Sequence, residues 1–227
     1  MVKRFFTFLF IIFLIYILFP MFYVIFSDTE LNPLAANYVS AGPDELGSQN
    51  LVTSVIVTYR GLDTLGEVTV LFIATAGVGF LLKTKEAKSK KRKASELLQT
   101  GSGFLAPIII LFGVYIFSHG HLTPGGGFQG GVIIATGILL LMLANVNWKM
   151  NKTVLHTIES LSGAFYIVIG LLGIFLAGGF LDNRILPLGE FGTLFSAGAI
   201  PIIYSLIGLK VGSELVGILD NLSGEEA

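Results

Sequence analysis

His119-Gly-His-Leu-Thr-Pro-Gly-Gly-Gly-Phe-Gln-Gly-Gly131 separates two long apolar runs, and its reading decides the fold. Its glycines and its proline do not suit an ordinary helix interior. One apolar helix is expected to enter the stretch and another to leave it. Thr123 is the expected N-cap, with Pro124 at the first helical position. Gly125, Gly126 and Gly127 follow, and Phe128, Gln129, Gly130, Gly131, Val132 and Ala135 then open an apolar helix. Two readings stay open. One is a tight helical hairpin. The other is a functional break, whose glycines give close helix contact or offer free amides to an ion or lipid. A phosphate-binding loop is excluded, because no Gly-Lys-Ser/Thr follows and no soluble βα unit surrounds the glycines.

Composition agrees with a helical hairpin in a membrane. Of 227 residues, 53% are apolar and only 13% are charged. The charged share is about half that of a soluble domain. The expected class is an all-α integral membrane protein with six transmembrane helices and both termini cytoplasmic. With no cysteine, disulfides, thiolate metal sites and cysteine nucleophiles are ruled out. His119, His121 and His156 are too few and too scattered for a metal site. No iron–sulfur or haem motif is present. No catalytic or cofactor-binding set is visible, so any electron transfer belongs to partners carrying the redox metals.

The first span is expected over Phe5–Phe26, preceded by Lys3 and Arg4. A cleaved signal peptide is the alternative, but the run exceeds a signal core and no small-residue cleavage pattern follows at once. Residues 27–50 carry four acidic and no basic side chains and read as an outside loop. Val68–Leu82 holds only 15 residues, about 22 Å of helix, against a hydrocarbon core of about 30 Å. The second span must therefore extend back through 58–67. That sets Glu67 about 24 Å and Asp63 about 30 Å from Lys83, in the outer half of the membrane. Arg60, Asp63 and Glu67, spaced i, i+3, i+7, share one helical face. They read either as a charge network fixing helices or as an ion or proton station in a hydrated interface. Carboxylates at that depth are costly, which favours function. A bare one is expected to be protonated, ion-bound or paired.

Residues 83–96 carry seven basic and two acidic side chains, a basic linker on the cytoplasmic face that attracts anionic lipid. No aromatic platform accompanies it, so it does not argue for nucleic acid. Four further spans are expected at about 97–118, 125–146, 158–181 and 188–211. Pro107 lies in the third and Pro201 in the interior of the sixth, with Trp148 at an interface. This arrangement puts twelve of the fourteen basic residues inside, Lys210 among them. Glu159 and Glu214 fall near inner helix ends and Glu190 near an outer end. His119 and His121 flank the outer mouth. All five are secondary charge sites, read first as boundary or exposed loop residues.

Thr123-Pro-Gly-Gly-Gly-Phe-Gln-Gly-Gly131 resembles the signature of the B-type component of multisubunit Na+/H+ antiporters, the MrpB/MnhB type. Leu186-Pro-Leu-Gly-Glu190, Phe195-Ser-Ala-Gly-Ala-Ile-Pro-Ile-Ile-Tyr204 and Ile207-Gly-Leu-Lys-Val-Gly-Ser-Glu214 extend the resemblance. Tyr59-Arg-Gly-Leu-Asp-Thr-Leu-Gly-Glu67 is similar to the C-terminal tail of the large A-type component of the same antiporters. It is also similar to the small E-type component of related membrane-bound hydrogenases and sulfur reductases. The resemblance implies a fusion: 1–82 an A-tail or E-type segment, 83–96 a linker, 97–227 a four-helix B-type domain. It further implies a hetero-oligomeric complex in the prokaryotic cytoplasmic membrane, with antiporter-like partners and Na+ and H+ as transported ions. Three functions follow. The chain is one component of the ion module of a hydrogenase or sulfur reductase, one component of a stand-alone antiporter, or a purely structural scaffold.

Overall fold

At membrane depth no water satisfies backbone amides and carbonyls, so long apolar runs close their hydrogen bonds within helices. A computed structural model of the chain describes residues 2–26, 30–82, 94–145, 148 and 150–222. Among these residues, six helices are long and apolar enough to cross a membrane. The chain divides into two units, Met1–Asn37 and Tyr38–Ala227.

The first unit holds α1, Val2–Phe26, with Pro20 inside it. Its 25 residues give about 37 Å of helix, enough for the hydrocarbon core. A second helix, α2, covers Pro33–Leu46 and runs from the first unit into the second. It replaces most of the loop expected at 27–50. The reason is local: Asn32 Oδ1 accepts from the Ala35 amide at 2.7 Å, and Pro33 takes the first helical position.

The second unit continues with a short turn, α3 (Leu51–Thr53), capped by Asn50. A π-helical turn over Ser54–Tyr59 follows and ends at Arg60 (φ −119°, ψ 33°). Four-residue periodicity resumes in α4, Gly61–Leu82. Thus the second span does reach back past Glu67, but it breaks at Arg60 instead of running on through Thr58. The basic stretch 83–93 lies outside the described residues. The remaining helices are α5 (Glu96–Ser118), α6 (Gly127–Ala144), α7 (Lys152–Leu176) and α8 (Ile200–Leu222). Ser95 caps α5 through the Leu98 amide, and Asn151 caps α7 through the Thr153 and Val154 amides.

Three sequence expectations are corrected. Thr123 does not cap α6: its Oγ1 donates to the His119 carbonyl, Pro124 stays in the loop, and Gly126 (φ 150°) stands at the N-cap. Span five starts at Lys152, so Glu159 lies about two turns into α7. Span six is displaced most. Residues 188–199 are irregular, although Phe191, Leu194 and Phe195 make them look apolar. Ala197 and Gly198 adopt positive φ, and Pro201 falls in the first turn of α8 instead of its interior.

α8 is the hub of this unit. Half of its span is buried, against a third or less for each other span, and it packs on α4, α5, α6 and α7. The glycine motif explains how so many helices approach. An added Cβ at Gly130 would stand 2.6 Å from the Gly113 carbonyl of α5; one at Gly131 would stand 2.8 Å from the Gly208 carbonyl of α8. Only glycine lets α6 lie against both neighbours at that range. The stretch forms the turn of a helical hairpin between α5 and α6, and its glycines give close helix contact.

The non-helical segments of this unit are satisfied by side chains. Asn50 Nδ2 donates to the Gly120 and Thr123 carbonyls, and Ser48 Oγ and Thr53 Oγ1 donate to those of His121 and Gly120. Tyr204 of α8 donates to Thr53 Oγ1. Buried Asn183 donates to the Leu46 and Ala197 carbonyls at 2.8 and 2.9 Å. These bonds join 46–53, 119–126 and 177–199 into one polar cap at one end of the helices.

Candidate ion-translocation site

The charged residues named from sequence fall into two groups. Arg60 and Asp63 form an ion pair at the capped end, 2.5 Å between Nη2 and Oδ2, with both side chains more than half exposed. Such a pair contributes little to stability. Glu67 lies six residues beyond Gly61, about 9 Å into α4. It is exposed and takes no hydrogen bond or ion pair from the described residues. Its charge reaches Tyr166 of α7, whose hydroxyl is buried without a hydrogen-bond partner.

The second group was only half legible. The sequence expectation set Lys210 and Glu214 at the cytoplasmic end of their span. With α8 beginning at Ile200, Lys210 is ten residues in, about 15 Å, halfway through the hydrocarbon core. There it donates to Glu214 Oε1 at 2.6 Å, with side-chain exposures of 13% and 0%. This is a buried ion pair, not a boundary charge. The ammonium also sits 5.0 Å from the Phe72 ring centroid, within cation–π range. Glu214 Oε2 is buried and unpartnered. The i, i+4 spacing was the available signal for this pair; only the misplaced start of the helix hid its depth.

An open groove of about 190 Å3 lies beside Lys210. Leu65, Val68, Thr69 and Phe72 of α4, Gly163, Tyr166 and Ile167 of α7, and Lys210 of α8 line it, and the surface is mostly apolar. Beyond the pair, Glu159 acts electrostatically on Glu214 and meets His156 Nδ1 at 3.4 Å. Glu159 and Glu214 lie seven and eight residues from the ends of their helices remote from the polar cap, about 10–12 Å. Counted along their helices, Tyr166 and Lys210 each lie ten residues from the end at the polar cap, about 15 Å.

The other candidates stay outside these two groups. His121 is not an exposed loop histidine: it is fully buried, with Nε2 3.3 Å from the Thr193 carbonyl and Nδ1 unpartnered. Burial, opposed by that carbonyl, pushes its pKa below the usual histidine value. It is neutral at physiological pH and belongs to the cap. His119 stacks on Tyr115 at a centroid separation of 4.1 Å. Glu190 lies in the irregular segment before α8, where its carbonyl accepts from Thr193.

Comparison with known proteins follows the same division. Residues 97–217 match the family described as "Domain related to MnhB subunit of Na+/H+ antiporter", and residues 4–95 match the MbhE family, the E-type component of MBH. An uncharacterized protein of Methanocaldococcus jannaschii is 30% identical over 83% of this chain and 84% of its own. The B-type component of the Na(+)/H(+) antiporter of Bacillus subtilis is 39% identical over 38% of this chain and 56% of that one. Among solved structures, a chain of the membrane-bound sulfane sulfur reductase, an archaeal respiratory membrane complex, aligns over 98% of both chains. Its identity is 44% and its TM-score 0.83. A chain of the Mrp complex from Dietzia aligns over 90% of this chain and 24% of that one, with 25% identity and a TM-score of 0.70. The chain is a multi-pass membrane protein that belongs to the family related to the MnhB subunit of Na+/H+ antiporters, preceded by a segment of the MbhE type.

Proposed function

We propose that this chain is a non-redox membrane subunit of the antiporter-like ion-translocation module of an energy-converting respiratory complex. Glu67 is its ion station. The observation that carries this reading is the depth of Glu67: a carboxylate about one and a half turns inside α4, exposed on the helix surface and unpaired within the described residues. Asp63, held by Arg60 at the water-facing end, forms the approach to it. In this reading the termini and the 83–96 linker face the cytoplasm, and the capped end faces outside. Na+ and H+ are the transported ions, and the redox metals reside in partner subunits. The end-to-end similarity to a chain of the sulfane sulfur reductase supports membership of a redox-driven, hetero-oligomeric complex over a stand-alone antiporter. The stand-alone reading has its own support in the likeness to the Mrp complex, which spans only 24% of that chain.

The test is Na+ and H+ flux in vesicles holding equal amounts of assembled wild-type and variant complex. Glu67→Gln keeps size and hydrogen bonding but offers no full charge and releases no proton. It is expected to leave assembly intact and abolish most Na+-coupled flux. Asp63→Asn is expected to be milder, being nearer water. Unchanged flux in Glu67→Gln rejects the ion station and favours the scaffold. Masses of the co-purified subunits separate the two complexes: iron–sulfur or nickel–iron partners belong to the redox-driven one.

A further inference from the structure

We propose that the outward face of α4 docks a transmembrane helix of another subunit, which brings a lysine or arginine side chain to Glu67. The inference rests on the same placement of Glu67 as the ion-station reading, and it names what meets the carboxylate between transported ions. Four observations carry it. First, Glu67 is exposed on α4 about 9 Å from its start, and no described residue hydrogen-bonds or pairs with it. Lipid tails offer no donor, so a bare carboxylate at that depth is costly, and a cation brought beside it offsets the cost. Second, Asp63, Gly66, Glu67, Val70, Ala74 and Gly77 follow the spacing i, i+3, i+4, i+7, i+11, i+14, one helical face about 21 Å long. All six are exposed. Third, Cβ atoms added at Gly66 and Gly77 would meet nothing within 4 Å, whereas those at Gly113, Gly130 and Gly131 would strike a neighbouring helix. Gly113, Gly130 and Gly131 serve contacts inside the chain; Gly66 and Gly77 serve none there. Small residues are what lets a second transmembrane backbone approach closely. Fourth, only 11% of the α4 span is buried, the smallest share among the five spans of the second unit.

The chemistry of the face selects its occupant. It carries two carboxylates, and the guanidinium beside them, Arg60, is taken by Asp63. Two copies packed face to face about a twofold axis would set acid against acid, which argues against a second copy of this chain. Basic residues of α1 are confined to its first turn, Lys3 and Arg4, so the rest of that helix has no cation to offer. A lipid tail has no charge at all. A helix of a different subunit with a lysine or arginine at the level of Glu67 meets both the charge and the small-residue surface. The pair is not permanent. So near the end of α4, a long cationic side chain can withdraw toward water and leave the carboxylate to Na+. The partner's cation and the transported ion then compete for one carboxylate. Glu67→Gln still accepts a hydrogen bond from that cation and leaves the packing face unaltered, so assembly survives it.

The test uses the assembled complex in its own membrane. A photo-crosslinking amino acid takes the place of Val70, which lies about one turn inside Glu67 on the same face. The expected product is a crosslink to a transmembrane segment of another subunit that carries Lys or Arg within about two turns of the attachment point. Crosslinks confined to lipid, to α1 or to a second copy overturn the proposal, as does a partner helix without such a residue. Gly77→Leu is the second arm. Its Cβ position is open, so melting of the purified chain in detergent is expected to stay at or above the wild-type value, leucine being the better helix former. The crosslinked subunit is expected to co-purify several-fold less, and its recovery at the wild-type ratio overturns the docking face. A charge exchange is the third arm. Glu67→Lys is expected to lower recovery of that subunit, and replacing the partner's cation by Glu in the same complex to restore it; no restoration overturns the pairing. Na+ flux in Glu67→Gln separates the two readings. Full flux with the expected crosslink keeps the docked helix and removes the ion station. Lost flux with a probe at position 70 that reaches only lipid keeps the station and removes the docked helix.

Discussion

Gly130→Ala tests whether the glycine motif is a packing device. The added Cβ would stand 2.6 Å from the Gly113 carbonyl oxygen and 2.9 Å from Phe117 Cβ. Carbon–oxygen contacts settle near 3.3 Å, so α5 and α6 must separate by about 0.7 Å. The obstruction is backbone, which cannot rotate away. The upper end of the overpacking range therefore applies, about 3 kcal/mol. Alanine's greater helix preference returns about 1 kcal/mol. The net loss is about 2 kcal/mol, a fall in melting temperature of about 4–8 °C for a chain of this length. Gly103→Ala is the matched control on α5, because nothing lies within 4 Å of its Cβ position. There the helix preference acts alone and raises the melting temperature by about 1–4 °C. The assay is thermal unfolding of the purified chain in detergent, followed by tyrosine and tryptophan fluorescence. Equal shifts in the two variants, or a Gly130→Ala chain as stable as wild type, would refute the packing argument.

Two further expectations concern the cap and the topology. His121 is neutral when folded and regains its ordinary affinity for a proton when unfolded, so the unfolded state binds more protons as pH falls below about 6.5. Stability is therefore present above that pH and declines below it toward the folded value, and His121→Gln should flatten the dependence between about pH 7.5 and 5.5 in the same unfolding assay. The linker is expected to face the cytoplasm, and the chain has no native cysteine to confuse labelling. Ser89→Cys should react with a membrane-impermeant maleimide only in inverted vesicles, and reaction in intact cells reverses the topology.

The helices were legible where composition alone decides them. α5 starts within one residue of expectation, because Ser95 and Glu96 give a polar start to a continuous apolar run. Arg60, Asp63 and Glu67 were also visible, since charges on a short apolar span have nowhere else to lie. What failed is instructive. The stretch 188–199 was read as helix from Phe191, Leu194 and Phe195, although Gly189, Gly192 and Gly198 all adopt positive φ. Their role depends on distant partners: Asn183 holds the segment through Ala197 and Leu46, 14 and 137 residues away in sequence. No local pattern reports a bond of that range. The same blindness made His121 look exposed, because its burial comes from Ser48, Asn50 and Thr193 meeting over it.

The error at 188–199 also concealed the chemistry. Moving the start of the last helix by twelve residues shifts every charge on it by about 18 Å along the membrane normal. Lys210 changes from one more positive charge at the inner boundary to the most deeply placed cation described. The charge bias across the membrane therefore rests on the other basic residues. Lys210 needs a reason of its own to sit where an unpaired ammonium costs about 3 kcal/mol even on permissive insertion scales. Glu214 offsets that cost at one of its three N–H groups and Phe72 at its face.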